Sequence, residues 1–401
     1  MTKSATGQTA FGAGDSAVGY LYQVRAAFLS SLKRLRDGIP FSVCLETLDD
    51  VVFDPEGSAL ELIQYKHHKN IDANLTDASP DIWKSLRVWM EGRATGQVPS
   101  DAKLHLVTTQ VATQGSIAKY LGEAGDPVAA VSALRATAST SSSATNQRAY
   151  ALFMGLSPAQ QEALVNSIVV LAQAPTASDI SADIKRELAL SVRADRLESL
   201  LIRLEGWWLS ACLKHLVAGS KEPIASEALQ SQLDDIREQL KDDALPIDRD
   251  LMDALVALDV YEGQIFVHQA RLANVRESRV LSAVRDYYRA YEQRSRWMRE
   301  NLLLVGELDK YERRLCEEWQ MMFDRTADNF GEIQAESQRQ QMARHIYDWV
   351  EQAEFRLRDR LDEPAITRGS FHMLANELRV GWHPQFMERL QHLLVPTVSV
   401  A

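Results

Sequence analysis

Leu45-Glu46-Thr47-Leu48-Asp49-Asp50-Val51-Val52-Phe53 and, shortly after it, Leu60-Glu61-Leu62-Ile63-Gln64-Tyr65-Lys66-His67-His68 set the architecture of the first part of this chain. Both are aliphatic stretches interrupted by polar residues, the pattern of strands. Asp54-Pro55-Glu56-Gly57-Ser58 between them has turn chemistry. Together they predict a hairpin. Residues two apart share a strand face, so Gln64 and Lys66 point the same way and Asp50 converges on them from the partner strand. Glu46 is in phase with Asp50. Asp49 faces the other side of a regular strand, and a bulge would exchange it with Asp50. Asp50 is a hard oxygen ligand for Mg²⁺, the Gln64 carbonyl is a second oxygen without added charge, and Lys66 could hold an attacking water or charge developing on phosphorus. The patch suits phosphodiester hydrolysis. The same three residues, read alone, also describe the wet face of a half-exposed hairpin.

The flanking segments extend the pattern to an α/β sandwich. Gly19-Tyr20-Leu21-Tyr22-Gln23-Val24-Arg25 opens a stretch to Arg36 with apolar residues at helical spacing. Leu75-Thr76-Asp77-Ala78-Ser79-Pro80-Asp81-Ile82-Trp83-Lys84 starts a second helix with Asp and Pro at its beginning, and its Trp83 and Trp89 are expected to pack on the sheet. Lys103-Leu104-His105-Leu106-Val107-Thr108-Thr109-Gln110 reads as a further strand. His67 and His68 lack metal-ligand spacing with partners. Lys69, Lys84, Arg87 and Arg93 read equally well as a phosphate-facing rim and as solubilising charges.

The order Asp, then Gln-x-Lys on the next strand, resembles the PD-(D/E)XK nuclease superfamily in its Gln-x-Lys variant. With Gly-Tyr-x-Tyr-Gln, Leu-Asp-Asp-Val, Leu-Ile-Gln-x-Lys-His-His, the Ser-Pro-Asp-x-Trp-Lys helix and Leu-Val-Thr-Thr, the first 120 residues or so are similar to the CD-NTase-associated double-stranded-DNA endonucleases of bacterial antiphage defence. The resemblance implies a restriction-endonuclease-like fold and a Mg²⁺ (or Mn²⁺) cofactor held by Asp50 and Gln64. Lys66 is then the catalytic lysine, Glu46 and Gln23 are weaker catalytic candidates, and Asp49 is the reserve for Asp50.

Composition sets bounds on this reading. The 401 residues, 46% hydrophobic and 25% charged, suit a globular protein with more than one domain. Net charge is −11, and nearly all the acidic excess lies beyond residue 120. Such a balance predicts weak, salt-dependent DNA affinity and delivery by something else. Cys44, Cys212 and Cys316 are far apart without a Cys-x-x-Cys pair, which predicts packing thiols rather than disulfides or zinc. The chain shows neither a signal-peptide pattern nor an apolar run of spanning length, so a cytoplasmic protein without membrane contact is expected. The Ser, Thr, Gly and Gln-rich start to about Asp15 is expected to be loosely ordered.

Beyond Gln114 helices take over. Ser139 to Gln147 reads as a linker, and Pro158 to Val170 as a helix running into a stretch that may turn to strand. Asp195 to Leu216, Asp248 to His268 and Ser278 to Leu304 read as long amphipathic helices. In the last of these, Tyr, Trp and Met are expected inside and Arg outside. Arg294-Ser295-Arg296-Trp297-Met298-Arg299-Glu300, Gly306-Glu307-Leu308 and Gly381-Trp382-His383-Pro384-Gln385-Phe386 resemble the C-terminal domain of ABC-three-component defence systems, which implies docking to an SMC-like ATPase and a small middle component. The Gly381 to Phe386 motif also predicts a corner: Gly ends a helix, Pro fixes the turn, Trp382 and Phe386 anchor it, and His383 caps it as a donor. The helical region has no Gly-rich phosphate loop.

These readings predict an α/β nuclease-like domain over 1–125, a helical middle region over 126–260 with a possible short strand, and a helical docking domain over 261–401. The expected activity is a Mg-dependent deoxyribonuclease on double-stranded DNA, weakly active without partners and working as a homo-oligomer. The alternative is a catalytically silent DNA-binding or interaction scaffold of the same kind of complex.

Overall fold

The computed structural model describes residues 13–56, 58–68, 74–176, 178–219 and 222–394. Residues 1–12, Lys69 and Gly57, which carried sequence expectations, lie outside these. The chain divides into two compact units, 1–235 and 236–401.

The first unit is α/β. Helix α1 (Ala13–Arg36) leads into β1 (Phe41–Leu45), β2 (Val51–Pro55) and β3 (Glu61–Lys66), an antiparallel meander. The expected single strand from Leu45 to Phe53 is therefore two strands. They part because Glu46 adopts a left-handed backbone (φ 51°) and its N–H donates to the Asp50 carbonyl at 3.1 Å, closing a turn over residues 46–50. Helix α2 (Pro80–Ala94) crosses to β4 (Lys103–Thr108), parallel to β3. Ser79 caps α2 by accepting from the Asp81 N–H, and Pro80 sits where a missing N–H costs nothing.

Next come α3 (Ile117–Tyr120), α4 (Pro127–Thr140), α5 (Gln147–Gly155), α6 (Pro158–Asn166) and β5 (Ile168–Leu171). Helices α7 (Ile180–Leu188) and α8 (Leu197–Val217) lead to β6 (Ile224–Ala225) and α9 (Ser226–Gln239). The sheet order is β5-β4-β3-β2-β1-β6. Two of its strands thus come from the stretch read as the middle region, whose sequence leaves open whether it is a domain of its own or an extension of the first, and residues 126–235 fold with the first 125.

Both faces of the sheet are covered. On one, Val52, Leu62, Leu104, Leu106 and Val170 pack with Trp83, Leu86 and Trp89 of α2 and with Tyr150 and Phe153 of α5. On the other, α1 lies close: the Ser30 and Tyr65 hydroxyls are 3.3 Å apart, and the Arg34 guanidinium sits 3.9 Å over the Phe53 ring. Trp208 of α8 lies 5.4 Å from Phe28, as expected of a core tryptophan. The linker or exposed loop expected at 139–147 is the end of α4 and a mostly exposed turn in which Asn146 is buried, its amide donating to the Ala78 carbonyl at 2.9 Å. Only Cys212 is fully buried; Cys44 and Cys316 are half-buried.

The second unit is helical. It contains α10 (Arg249–Met252), α11 (Ile265–Leu272), α12 (Glu277–Arg299), α13 (Glu307–Phe330), α14 (Glu336–Glu351), α15 (Pro364–Asn376) and α16 (Phe386–Leu390). The long helix expected from Asp248 to His268 is two short ones with irregular chain between them. On α12, Trp297 is buried as expected, yet Arg294 is buried too, pairing with Glu312, while Met298 is about half exposed. Gly381 does not end a helix, since α15 stops at Asn376. The Phe386 ring lies where a Cβ on Gly381 would sit, 2.1 Å from its Cγ, so close packing requires the glycine. His383 accepts there, its Nδ1 taking the Gln385 N–H at 3.1 Å. No helix among the described residues is long and apolar enough to cross a membrane.

Candidate functional site

The C-terminal ends of β3 and the 46–50 turn place the sequence-nominated residues. Register pairs Val51 with Ile63 and Val52 with Leu62, so an unbroken ladder would set Asp50 against Gln64. The turn changes this. Asp49 meets Gln64, with Gln64 Nε2 donating to Asp49 Oδ1 at 3.0 Å. Asp50 instead accepts the Tyr65 backbone N–H on Oδ2 at 2.8 Å, which extends the β2–β3 pairing by a side chain where the backbone has turned away. The exchange of the two aspartates follows from the tight turn at Glu46, a different device from a bulge.

Asp49 is buried and held from three sides. Besides Gln64 it accepts the Asp50 N–H at 3.0 Å on Oδ1 and the Trp89 indole N–H at 2.6 Å on Oδ2. Gln64, expected as the second metal oxygen, is also buried and spends both ends of its amide inside the protein: its carbonyl accepts from the Ser85 hydroxyl. Ser85 and Trp89 are four apart on α2 and so face the sheet together. Sequence reading missed their role; the signal was a Ser and a Trp one turn apart on the buried side of a helix that passes over two strand-borne polar residues.

The charges at this corner are unbalanced. Burial pushes the Asp49 carboxyl up to about 6, the Trp89 bond works against that, and Asp50 and Lys66 add smaller opposite effects. Partial desolvation, then Asp50, raises the Glu46 carboxyl as well, with Lys66 lowering it. Three carboxylates thus sense one another and one ammonium. Lys66 makes no ion pair among the described residues, and Asp50 Oδ1 accepts no hydrogen bond among them.

Among the described residues no group of three or more His, Cys, Asp or Glu side chains is arranged to hold a metal ion. Of the two residues expected as metal ligands, Gln64 has its carbonyl engaged by Ser85, so Asp50, with one oxygen that accepts no hydrogen bond among the described residues, is the residue that would hold a divalent cation.

The remaining candidates separate. Gln23 is half-buried on α1 and forms no hydrogen bond among the described residues; the residue of α1 that feels Glu46 is Tyr20. His68 pairs with Asp81 at 2.7 Å, and the His67 ring lies 4.7 Å from that of Tyr22. Arg93 tethers the sheet, donating to Ser167 at 2.8 Å and to the Ser100 carbonyl, which leaves Lys84 exposed on α2.

Residues 266–390 match the family model described as C-terminal domain 7 of the ABC-three component (ABC-3C) systems. The match falls within the second unit and includes the Arg294 to Glu300 and Gly381 to Phe386 motifs. A search of curated proteins returned no match to the chain.

Proposed function

We propose that the first unit is a metal-dependent DNA endonuclease of an antiphage defence system, and that the second couples it to the other components, an SMC-like ATPase and a small middle component. The observation that carries the nuclease reading is that Asp49 meets Gln64 while the neighbouring Asp50 binds the Tyr65 N–H, near a Lys66 that makes no ion pair among the described residues where β3 ends. The coupling role rests on the ABC-3C domain match.

In this reading Asp50 would hold a Mg²⁺ through the oxygen that Tyr65 leaves open, and the ion would supply a water of lowered pKa for attack on a backbone phosphate. Asp49, fixed by Trp89 and Gln64, keeps the turn closed and adds negative charge behind Asp50. Lys66 places its ammonium against charge developing on the phosphoryl oxygens. With one open carboxylate the site holds its cation weakly, so basal cleavage is low and partners or DNA phosphates complete the shell.

The test is plasmid cleavage with Mg²⁺ or Mn²⁺, with and without the partner proteins. The expected outcome is cleavage that rises with partners and falls by at least about a hundredfold in Lys66→Ala and Asp50→Ala, the scale of losing a preorganised charge. Cleavage that survives both changes sinks the site. Absence of cleavage even with partners favours the second reading, a silent DNA-binding or interaction scaffold, for which the saturated amide of Gln64 is the supporting observation.

A further inference from the structure

We propose that the second unit carries a binding site for a small phosphate-bearing molecule, in the cavity of about 330 Å³ walled by Arg285 and Arg289 of α12, Tyr347 and Glu351 of α14, and Arg368 and His372 of α15. Asp286 of α12 is in the same wall, with Ser282 and Ala283 beside it. The pairs 285/289, 347/351 and 368/372 are each four apart, a spacing that sets both side chains on one helix face, so three helix faces turn charged and polar residues, three cationic and two anionic among them, onto a shared hollow.

The charges in the wall do not cancel. Arg368 donates to Asp286 at 2.5 Å, and Arg279, outside the cavity, takes both oxygens of Glu351 at 2.6 and 3.1 Å. Arg289 is left with a long 3.8 Å contact to Asp286, and Arg285 donates to the Ser282 hydroxyl but has no ion pair among the described residues. Two guanidiniums on one wall are thus short of counter-charge.

Polar atoms in the same wall lack partners. Arg289 Nε, Tyr347 Oη and His372 Nδ1 are all sealed from solvent with no hydrogen bond among the described residues. Tyr347 is 1% exposed and His372 2%. Buried polar groups are almost always satisfied, so three such atoms on residues that line one hollow mark a place where small side-chain shifts on binding would gain hydrogen bonds.

The donor set selects the ligand class. A carboxylate is planar and is satisfied by one guanidinium fork. Two guanidinium forks one turn apart on one wall, with that of Arg368 on another, suit a group with oxygens in several directions, as a phosphate has. The volume exceeds what bare phosphate fills and lies at the lower end of small-ligand sites, leaving room for an organic remainder of modest size. The missing Gly-rich loop is no obstacle, because side-chain guanidiniums replace the backbone N–H cradle.

Isothermal titration of the full chain at low ionic strength with inorganic phosphate, and separately with a nucleoside 5′-monophosphate, tests this. The expected result is saturable one-to-one binding, tighter for the nucleotide. Arg285→Gln and Arg289→Gln should each weaken it by about tenfold or more, and Glu351→Gln, which frees the Arg279 charge, should tighten it. Arg285 is exposed, so Arg285→Gln should keep the parent's melting temperature and circular dichroism, which separates loss of binding from loss of fold. Equal affinity for the two probes keeps the site and identifies free phosphate as its ligand. Absence of saturable heat with both probes, or unchanged affinity in the Arg285→Gln/Arg289→Gln double variant, overturns the proposal.

Discussion

Asp49 is where the physics of the candidate site concentrates. Its carboxyl, raised to about 6, binds a proton more tightly in the folded chain than in the unfolded one. Below about pH 4 both states hold that proton, and above about pH 6 neither does. Folding stability attributable to Asp49 therefore falls as pH rises between these limits, by about 3 kcal/mol on the scale of 1.36 kcal/mol per pKa unit. Denaturant titrations at pH 4.5, 5.5 and 6.5 should show a slope for the parent protein that Asp49→Asn lacks. A cation at Asp50 competes with protons at the same corner, so Mg²⁺ should raise the melting temperature more at pH 7 than at pH 5. A shift equal at both pH values, or none, would remove the metal from this corner without any appeal to activity.

At the scale of elements, helix approach decides what can be built. Gly369 on α15 lies against α12, and a Cβ there would fall 2.0 Å from the Asp286 carbonyl oxygen and 2.5 Å from Ala290 Cβ. A backbone oxygen cannot swing aside as a side-chain tip can. Gly369→Ala should therefore force the two helices apart and cost about 3 kcal/mol, at the upper end of the usual cost of overpacking, read by urea unfolding. The same movement would separate Arg368 from Asp286 and so open one wall of the cationic cavity. In the first unit, α2 plays the corresponding part, since Ser85 reaches Gln64 of β3 and Trp89 reaches Asp49 of the 46–50 turn only because the helix packs against the sheet.

For the whole molecule, the division at 235/236 makes a prediction about fragments. Residues 1–125 contain β1 to β4 but lack β5 and β6, which pair with the two outer strands, and α8, whose Trp208 packs on Phe28 of α1. Both outer strands would be left with unpaired backbone edges. The fragment 1–125 should show no cooperative thermal transition by circular dichroism and should aggregate. A sharp transition from that fragment would mean that the nuclease-like part is a domain in its own right. The acidic excess beyond residue 120 has a further consequence: DNA binding by the chain alone should be weak even at low salt, with a shallow fall of log K against log salt, because few phosphates are neutralised by a chain of net charge −11.

The sequence by itself determined the kinds of element and most of their positions. Alternating aliphatic residues at 60–66 and 103–108, the Ser79-Pro80 start of α2, and the Arg294 to Glu300 and Gly381 to Phe386 motifs were all legible, because strand period, capping and short motifs are local properties. Only the tertiary structure decided which aspartate meets Gln64, because the turn at Glu46 puts a non-glycine residue in a left-handed conformation that no spacing rule anticipates. It also joined residues 126–235 to the first sheet through β5 and β6, since pairings as distant in sequence as Leu104 with Ile168 and Ser42 with Ala225 leave no local mark. And it gathered Arg285, Arg289, Tyr347, Arg368 and His372 around one hollow: each pair is visible as a helical repeat of four, but which three helix faces share a cavity is set by how closely glycine and alanine let the helices approach.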